Sequence, residues 1–207
     1  MTIVLRKFVL ALLLSIFVAG LAACSGTVTS EKGPETPAAD NTNSAAANPD
    51  AEKAKKENPN YRPIEKAVDE GEVKLLDGAI TRVADKRGKV VLLNMWATWC
   101  GPCRAEMPTL VKMQDAYRDQ GFEVIGLNTD DETVEQINEF AEKMKLNYTL
   151  AWVDTTYQTN LVKISKFGGI PQSFIIDRDG NLRGVFRGAA PADVAKMHEL
   201  VELIVNE

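Results

Sequence analysis

The sequence predicts an α/β fold in which helices cover both faces of a central mixed β-sheet. Short apolar runs rich in β-branched residues alternate with segments whose apolar residues recur at helical spacing. A strand hairpin and a last helix close the chain, and this order is typical of a layered sheet with both parallel and antiparallel strands. One apolar run, residues 89–96, is followed almost at once by two cysteines, Cys100 and Cys103, and the rest of the prediction is organised around them.

The first 60 residues are predicted to lie outside this fold. Residues 1–23 combine Arg6 and Lys7 with an apolar stretch and small residues, which is typical of a secretory signal. The apolar stretch is too short to indicate a membrane span. Residues 25–60 have almost no large apolar side chains, so they cannot bury enough surface to offset the entropy of ordering. We therefore expect a disordered tether.

A third cysteine, Cys24, follows the signal in the sequence Leu-Ala-Ala-Cys. This sequence resembles the lipobox of bacterial lipoproteins, which implies cleavage before Cys24 and lipid attachment to its sulfur. The alternative is an uncleaved signal anchor with an incidental cysteine. Both interpretations place the protein outside the cytoplasm and at a membrane. The expected organisation is a lipoprotein signal peptide (1–23), a lipid-anchored tether (24–60) and a single globular domain (61–207).

The elements of the globular domain follow from periodicity and turn residues. Gly121 ends the helix that follows the cysteines, and Asp-Gly pairs mark two hairpin turns at residues 77–78 and 179–180. In order, we predict a hairpin (73–81), a buried strand (89–96), a helix after the cysteines, a buried strand (122–128), an amphipathic helix (133–145), a short strand (148–153), a helix or turn region (156–167), a hairpin (173–186) and a last helix (191–205).

The two cysteines are predicted to lie where a strand turns into a helix, with Cys100 at the helix N-terminus and Cys103 about one turn inside. Unpaired N–H groups and the helix dipole favour the thiolate there. The expected chemistry is thiol–disulfide exchange, in which Cys100 exchanges with a substrate and Cys103 resolves the mixed disulfide. Half of a zinc site is one alternative, but only Cys24 and the single histidine, His198, remain as ligands. A purely structural disulfide is the other, although so small a loop gives little entropic stabilisation.

Residues 96–103, Trp-Ala-Thr-Trp-Cys-Gly-Pro-Cys, resemble the active-site motif of the thioredoxin superfamily. From about residue 71 onward the chain is similar to the membrane-tethered TlpA/ResA-like thiol–disulfide oxidoreductases of the bacterial envelope. The resemblance implies a thioredoxin fold with an N-terminal β-hairpin extension and a helix-containing insertion between residues 130 and 168. It assigns catalysis to Cys100 and Cys103, and substrate contacts to the neighbouring Trp99, Gly101 and Pro102.

Two further parts of the site are expected from the same resemblance. Ile170-Pro171 matches the family's cis-proline position, whose loop faces the cysteines, and Ile170 would offer its backbone to an extended substrate. Glu106 lies three residues after Cys103 on the same helix face, so its carboxylate would exchange a proton with Cys103; a solvated surface charge is the alternative. Asn94 stands where thioredoxins proper have a buried Asp. Because Asn cannot titrate, this difference strengthens the case that Glu106 handles the proton.

The sequence favours an envelope thiol–disulfide oxidoreductase, acting as a reductase of exported proteins, for example in cytochrome c maturation or thiol homeostasis. The resemblance implies protein thiol or disulfide substrates, and a membrane electron-transfer protein of the CcdA/DsbD type as reductant. We expect no metal, and no cofactor beyond the redox-active Cys100–Cys103 disulfide. A net charge of −5 without a basic patch argues against nucleic acid. A disulfide-forming oxidase and a thiol peroxidase are alternatives, though Ala97 stands where the peroxidase pattern has Thr.

Overall fold

The computed structural model describes residues 61–207, so the predictions for the signal segment, Cys24 and the tether lie outside the described residues. Within these residues, eight strands form one mixed sheet and five α-helices pack on it. The elements are β1 (Arg62–Pro63), α1 (Lys66–Asp69), β2 (Val73–Leu75), β3 (Ile80–Thr81), β4 (Val90–Trp96), α2 (Gly101–Tyr117), β5 (Phe122–Asn128), α3 (Val134–Met144), β6 (Thr149–Trp152), α4 (Thr155–Ser165), β7 (Gln172–Ile176), β8 (Asn181–Arg187) and α5 (Pro191–Val205).

The strand that leads to the cysteines, β4, lies in the middle of the sheet. The strand order is β1-β8-β7-β4-β5-β6-β2-β3. β4 pairs with β5 in parallel, with Asn94 opposite Gly126, and with β7 antiparallel, with Asn94 opposite Ser173. All seven β4 residues are buried, because helices cover both faces of the sheet. The predicted α/β fold with a mixed sheet is confirmed.

Alternate β4 residues separate the two layers of the core. Leu92 packs with buried residues of α2 and α5, and Trp96 packs with α2 and α3. Leu93 and Met95 face the opposite layer, which includes α1 and α4. Because successive side chains of a strand point to opposite faces, the side chain of Asn94 points, like those of Leu92 and Trp96, toward the layer that contains α2. The same alternation determines which β4 side chains lie on the side of the cysteines.

The segment between residues 130 and 168 contains α3, β6 and α4. β6 extends the sheet beside β5, and the predicted hairpin of β2 and β3 attaches to the outer edge of β6. The region predicted as helix or turn is the helix α4, which begins after Asp154 because that carboxylate accepts a hydrogen bond from the Tyr157 N–H.

Two elements have no counterpart in the sequence prediction. β1 has two residues and α1 a single turn, so neither is long enough to show a periodicity. Within residues 61–207, none of the helices is both long and apolar enough to cross a membrane.

Candidate active site

Cys100 and Cys103 lie at the junction between β4 and α2, as predicted. They form a disulfide with a Cα–Cα distance of 5.3 Å. Cys100 is the N-cap of α2, and its Sγ accepts a hydrogen bond from the Cys103 N–H at 3.1 Å. A helix N-terminus and an N–H donor both favour negative charge on the Cys100 sulfur, and the thiolate is the reactive form of a cysteine.

The two cysteines differ in accessibility. Cys100 is 3% exposed and lines a surface pocket with a volume of about 460 Å³, whereas Cys103, in the first turn of α2, has no exposed surface and is not part of that lining. Of the two sulfurs, Cys100 is therefore the one that a large substrate meets first.

The pocket beside Cys100 brings together most of the residues that the sequence predicted for substrate contact. Its lining includes Trp99, Gly101, Pro102 and Ile170. The peptide bond between Ile170 and Pro171 is cis, as predicted. The remaining lining residues, which sequence reasoning missed, are Met95, Thr129, Gln158, Val162, Gly168 and Gly169. They come from β4, the loop after β5, α4 and the loop before β7, and no local pattern links these segments.

Glu106 is buried, with 3% of its surface exposed, so the solvated-charge alternative is wrong. The Asn94 side-chain N–H₂ donates to Glu106 Oε1 at 2.7 Å and to Ser173 Oγ at 3.0 Å. Burial raises the pKa of Glu106 to about 7, although the hydrogen bond from Asn94 lowers it in part. A carboxyl group that titrates near neutral pH suits proton exchange, and it lies three residues from Cys103 on the same helix. The sequence predicted only that Asn94 cannot titrate, and the structure adds that it contacts Glu106 directly.

The insertion contacts the active-site turn through polar side chains. Trp99 is 66% exposed, and its indole N–H donates to the Asp130 carboxylate. The neighbouring Thr98 hydroxyl donates to the Glu132 carboxylate. These contacts hold the residues after β5 against the turn that carries Cys100.

The remaining candidate, the possible zinc ligand His198, lies in a structural environment. His198 is half-buried on α5, where its Nε2 lies 3.3 Å from the Tyr117 hydroxyl. Among residues 61–207, no group of three or more His, Cys, Asp or Glu side chains is arranged to hold a metal ion.

Comparison with known proteins agrees with this geometry. Residues 64–185 match the AhpC/TSA family. The chain is 32% identical over 123 residues to the thiol-disulfide oxidoreductase ResA of Geobacillus thermodenitrificans, covering 59% of this chain and 68% of that protein. It is 36% identical over 107 residues to ResA of Bacillus cereus, covering 52% and 60% of the two chains.

Solved structures give the same result. The chain resembles a thiol:disulfide interchange protein of the thioredoxin family from Chlorobium tepidum with a TM-score of 0.56 and 26% identity, covering 65% of this chain and 92% of that one. The cysteine pair, the fold and these relatives agree. The chain belongs to the AhpC/TSA family and, within the thioredoxin superfamily, is a TlpA/ResA-like thiol–disulfide oxidoreductase.

Proposed function

We propose that this oxidoreductase works outside the cytoplasm as a reductase of disulfides in exported proteins. The observation that carries the proposal is the pairing of a pocket-lining Cys100 with a buried Cys103 at the N-terminus of α2. The Gly-Pro dipeptide between the cysteines is that of thioredoxin, whose disulfide has a low potential of about −270 mV.

The exchange begins from the reduced protein. The Cys100 thiolate attacks one sulfur of the substrate disulfide, a mixed disulfide forms, and the second substrate sulfur leaves as a thiolate that takes up a proton. Cys103 then loses its proton and attacks the Cys100 sulfur, which releases the first substrate cysteine. Two electrons pass to the substrate, and the Cys100–Cys103 disulfide seen in the structure is the product on the enzyme side.

Glu106 is proposed to accept the proton that Cys103 gives up in the second step. A buried thiol has no direct access to bulk water, so a nearby base with a pKa of about 7 allows deprotonation at neutral pH. During the reverse exchange, the same carboxyl group returns the proton to Cys103.

The substrate is proposed to bind as an extended segment across the pocket. The backbone of Ile170 would pair with that segment, and Trp99, Gly101, Pro102 and Pro171 would border it. Such pairing uses main-chain groups, which all polypeptides share. It therefore suits an enzyme that acts on several exported proteins, and apocytochrome c is one candidate.

The remaining parts of the proposal concern the membrane. Lipid attachment at Cys24 would hold the domain on the outer side of a membrane, and the tether would let it reach substrates away from the surface. A membrane electron-transfer protein of the CcdA/DsbD type would restore the dithiol after each turnover.

The test is the reduction potential of the Cys100–Cys103 pair in the full chain carrying Cys24→Ser, which leaves only these two of the three cysteines. A potential near −270 mV, together with reduction of insulin disulfides, would support a reductase. A potential near −120 mV would reverse the direction of electron flow and indicate a disulfide-forming oxidase. Rapid peroxide turnover without insulin reduction would overturn protein disulfide exchange in favour of a thiol peroxidase.

A further inference from the structure

One buried side chain, Gln172, holds the loop that forms a wall of the pocket beside Cys100. Gln172 begins β7, is 1% exposed, and follows the cis-proline directly. Its side-chain nitrogen, Nε2, donates to the carbonyl oxygens of Phe167, at 2.9 Å, and of Gly169. Because both partners are acceptors, the nitrogen must face the loop and the side-chain oxygen must face away from it.

The loop between α4 and β7 has a sequence that would leave its backbone flexible without the hydrogen bonds from Gln172. It contains two adjacent glycines, Gly168 and Gly169, which have more backbone freedom than any other residue. The Phe167 ring packs against Gly169 so closely that a Cβ on the glycine would lie 2.8 Å from it. At the start of the loop, the Ser165 hydroxyl accepts from the Phe167 N–H at 3.2 Å, and Arg187 donates to the Ser165 carbonyl at 2.6 Å. Gln172 adds the contacts in the middle of the loop.

The pocket that this loop helps to form has an uncharged and largely apolar lining. Met95, Val162 and Ile170 supply apolar surface beside Cys100, and the polar side chains that line it, Thr129 and Gln158, are uncharged. Among residues 61–207, no Asp, Glu, Lys, Arg or His side chain belongs to this lining. A neutral and largely apolar lining favours an apolar side chain and penalises a charged one, which would lose hydration without gaining a partner.

We propose that this pocket binds a large apolar side chain next to the reacting cysteine of the substrate, and that Gln172 is the positioning residue that keeps the pocket in shape. This inference rests on the proposed exchange with protein disulfides, and it names the substrate class: exported segments in which Leu, Ile, Met or Phe adjoins the cysteine. Cys100 itself lines the pocket, so only residues close to the substrate cysteine can reach it.

The experiment measures exchange between the reduced full chain, carrying Cys24→Ser, and disulfide-linked dimers of short peptides. The peptides differ only in the residue before or after cysteine, which is Leu, Asn or Asp. We expect kcat/KM for one Leu peptide to exceed that of its Asn counterpart by roughly fivefold to tenfold, with Asp lower still. The Leu preference should appear mainly in KM, because it arises from binding.

Variants test the role of Gln172. Gln172→Leu removes both donated hydrogen bonds and should reduce the Leu-over-Asn ratio to below about twofold, with a larger change in KM than in kcat. Val162→Asn replaces a half-buried pocket residue of α4, outside the loop, and it should lower the same ratio. Leu203→Asn, on the exposed side of α5, is the matched control and should leave the ratio unchanged.

The outcomes separate this inference from the proposed function. Equal rates for Leu, Asn and Asp peptides would overturn the pocket's role and leave disulfide exchange intact. A Leu preference that survives in Gln172→Leu, with KM unchanged, would overturn the positioning role of Gln172. Failure of every peptide dimer to react would overturn the proposed exchange itself.

Discussion

Replacing Glu106 with Gln should change how the stability of the protein depends on pH. The free energy of unfolding of the variant, compared with that of wild type, should be higher at neutral and alkaline pH than at acidic pH. Burial raises the pKa of Glu106 from 4.5 to about 7, so the folded protein retains a proton that the unfolded chain has lost. Wild-type stability therefore falls as the pH rises from about 4.5 to 7. At about 1.4 kcal/mol per pH unit, this loss amounts to about 3 kcal/mol. Gln has a similar shape and no charge, so the variant avoids the loss.

The assay is denaturant unfolding of the oxidised proteins between about pH 4.5 and 8.5. The free energy of unfolding of Glu106→Gln minus that of wild type should increase by about 3 kcal/mol across this range, with most of the increase below pH 7. Glu139→Gln removes the same charge from the exposed side of α3 and is the matched control. A difference that stays constant with pH, or that matches the control, would refute the burial of an ionisable Glu106.

Three further predictions concern the same region. Cys103→Ser should accumulate mixed disulfides through Cys100 in cells, visible as new bands on non-reducing gels; no trapped partner would contradict the two-cysteine mechanism. Asn94→Leu removes the hydrogen bond that favours the charged form of Glu106, so the pH midpoint of substrate reduction should rise by about one pH unit, and a fall would contradict this reasoning. Gly126→Ala places a Cβ between 2.9 and 3.1 Å from three side chains and should cost about 1–3 kcal/mol in thermal or denaturant unfolding.

Contacts that are local in sequence were predictable. The apolar run of β4, the helical spacing after it and the position of Cys100 as N-cap depend on neighbouring residues, so the sequence predicts the exchange site at a strand-to-helix turn. The spacing of Glu106 from Cys103 likewise follows from the helix alone. The cis-proline position was predicted from its resemblance to a family, because no local pattern distinguishes it from a trans turn proline.

The tertiary structure determined the burial of those residues and their contacts. Whether Glu106 is a surface charge or a buried acid depends on its tertiary surroundings. Asn94 of β4 donates to Glu106, and the same Asn94 side chain donates to Ser173 of β7, which lies 79 positions further along the chain. The pocket beside Cys100 likewise joins segments that become neighbours only when β4 pairs with both β5 and β7. Sequence alone determined the reacting groups and their helix, since these depend on short-range geometry. Burial, the pKa of Glu106 and the shape of the substrate pocket came from packing between distant segments, which periodicity does not record.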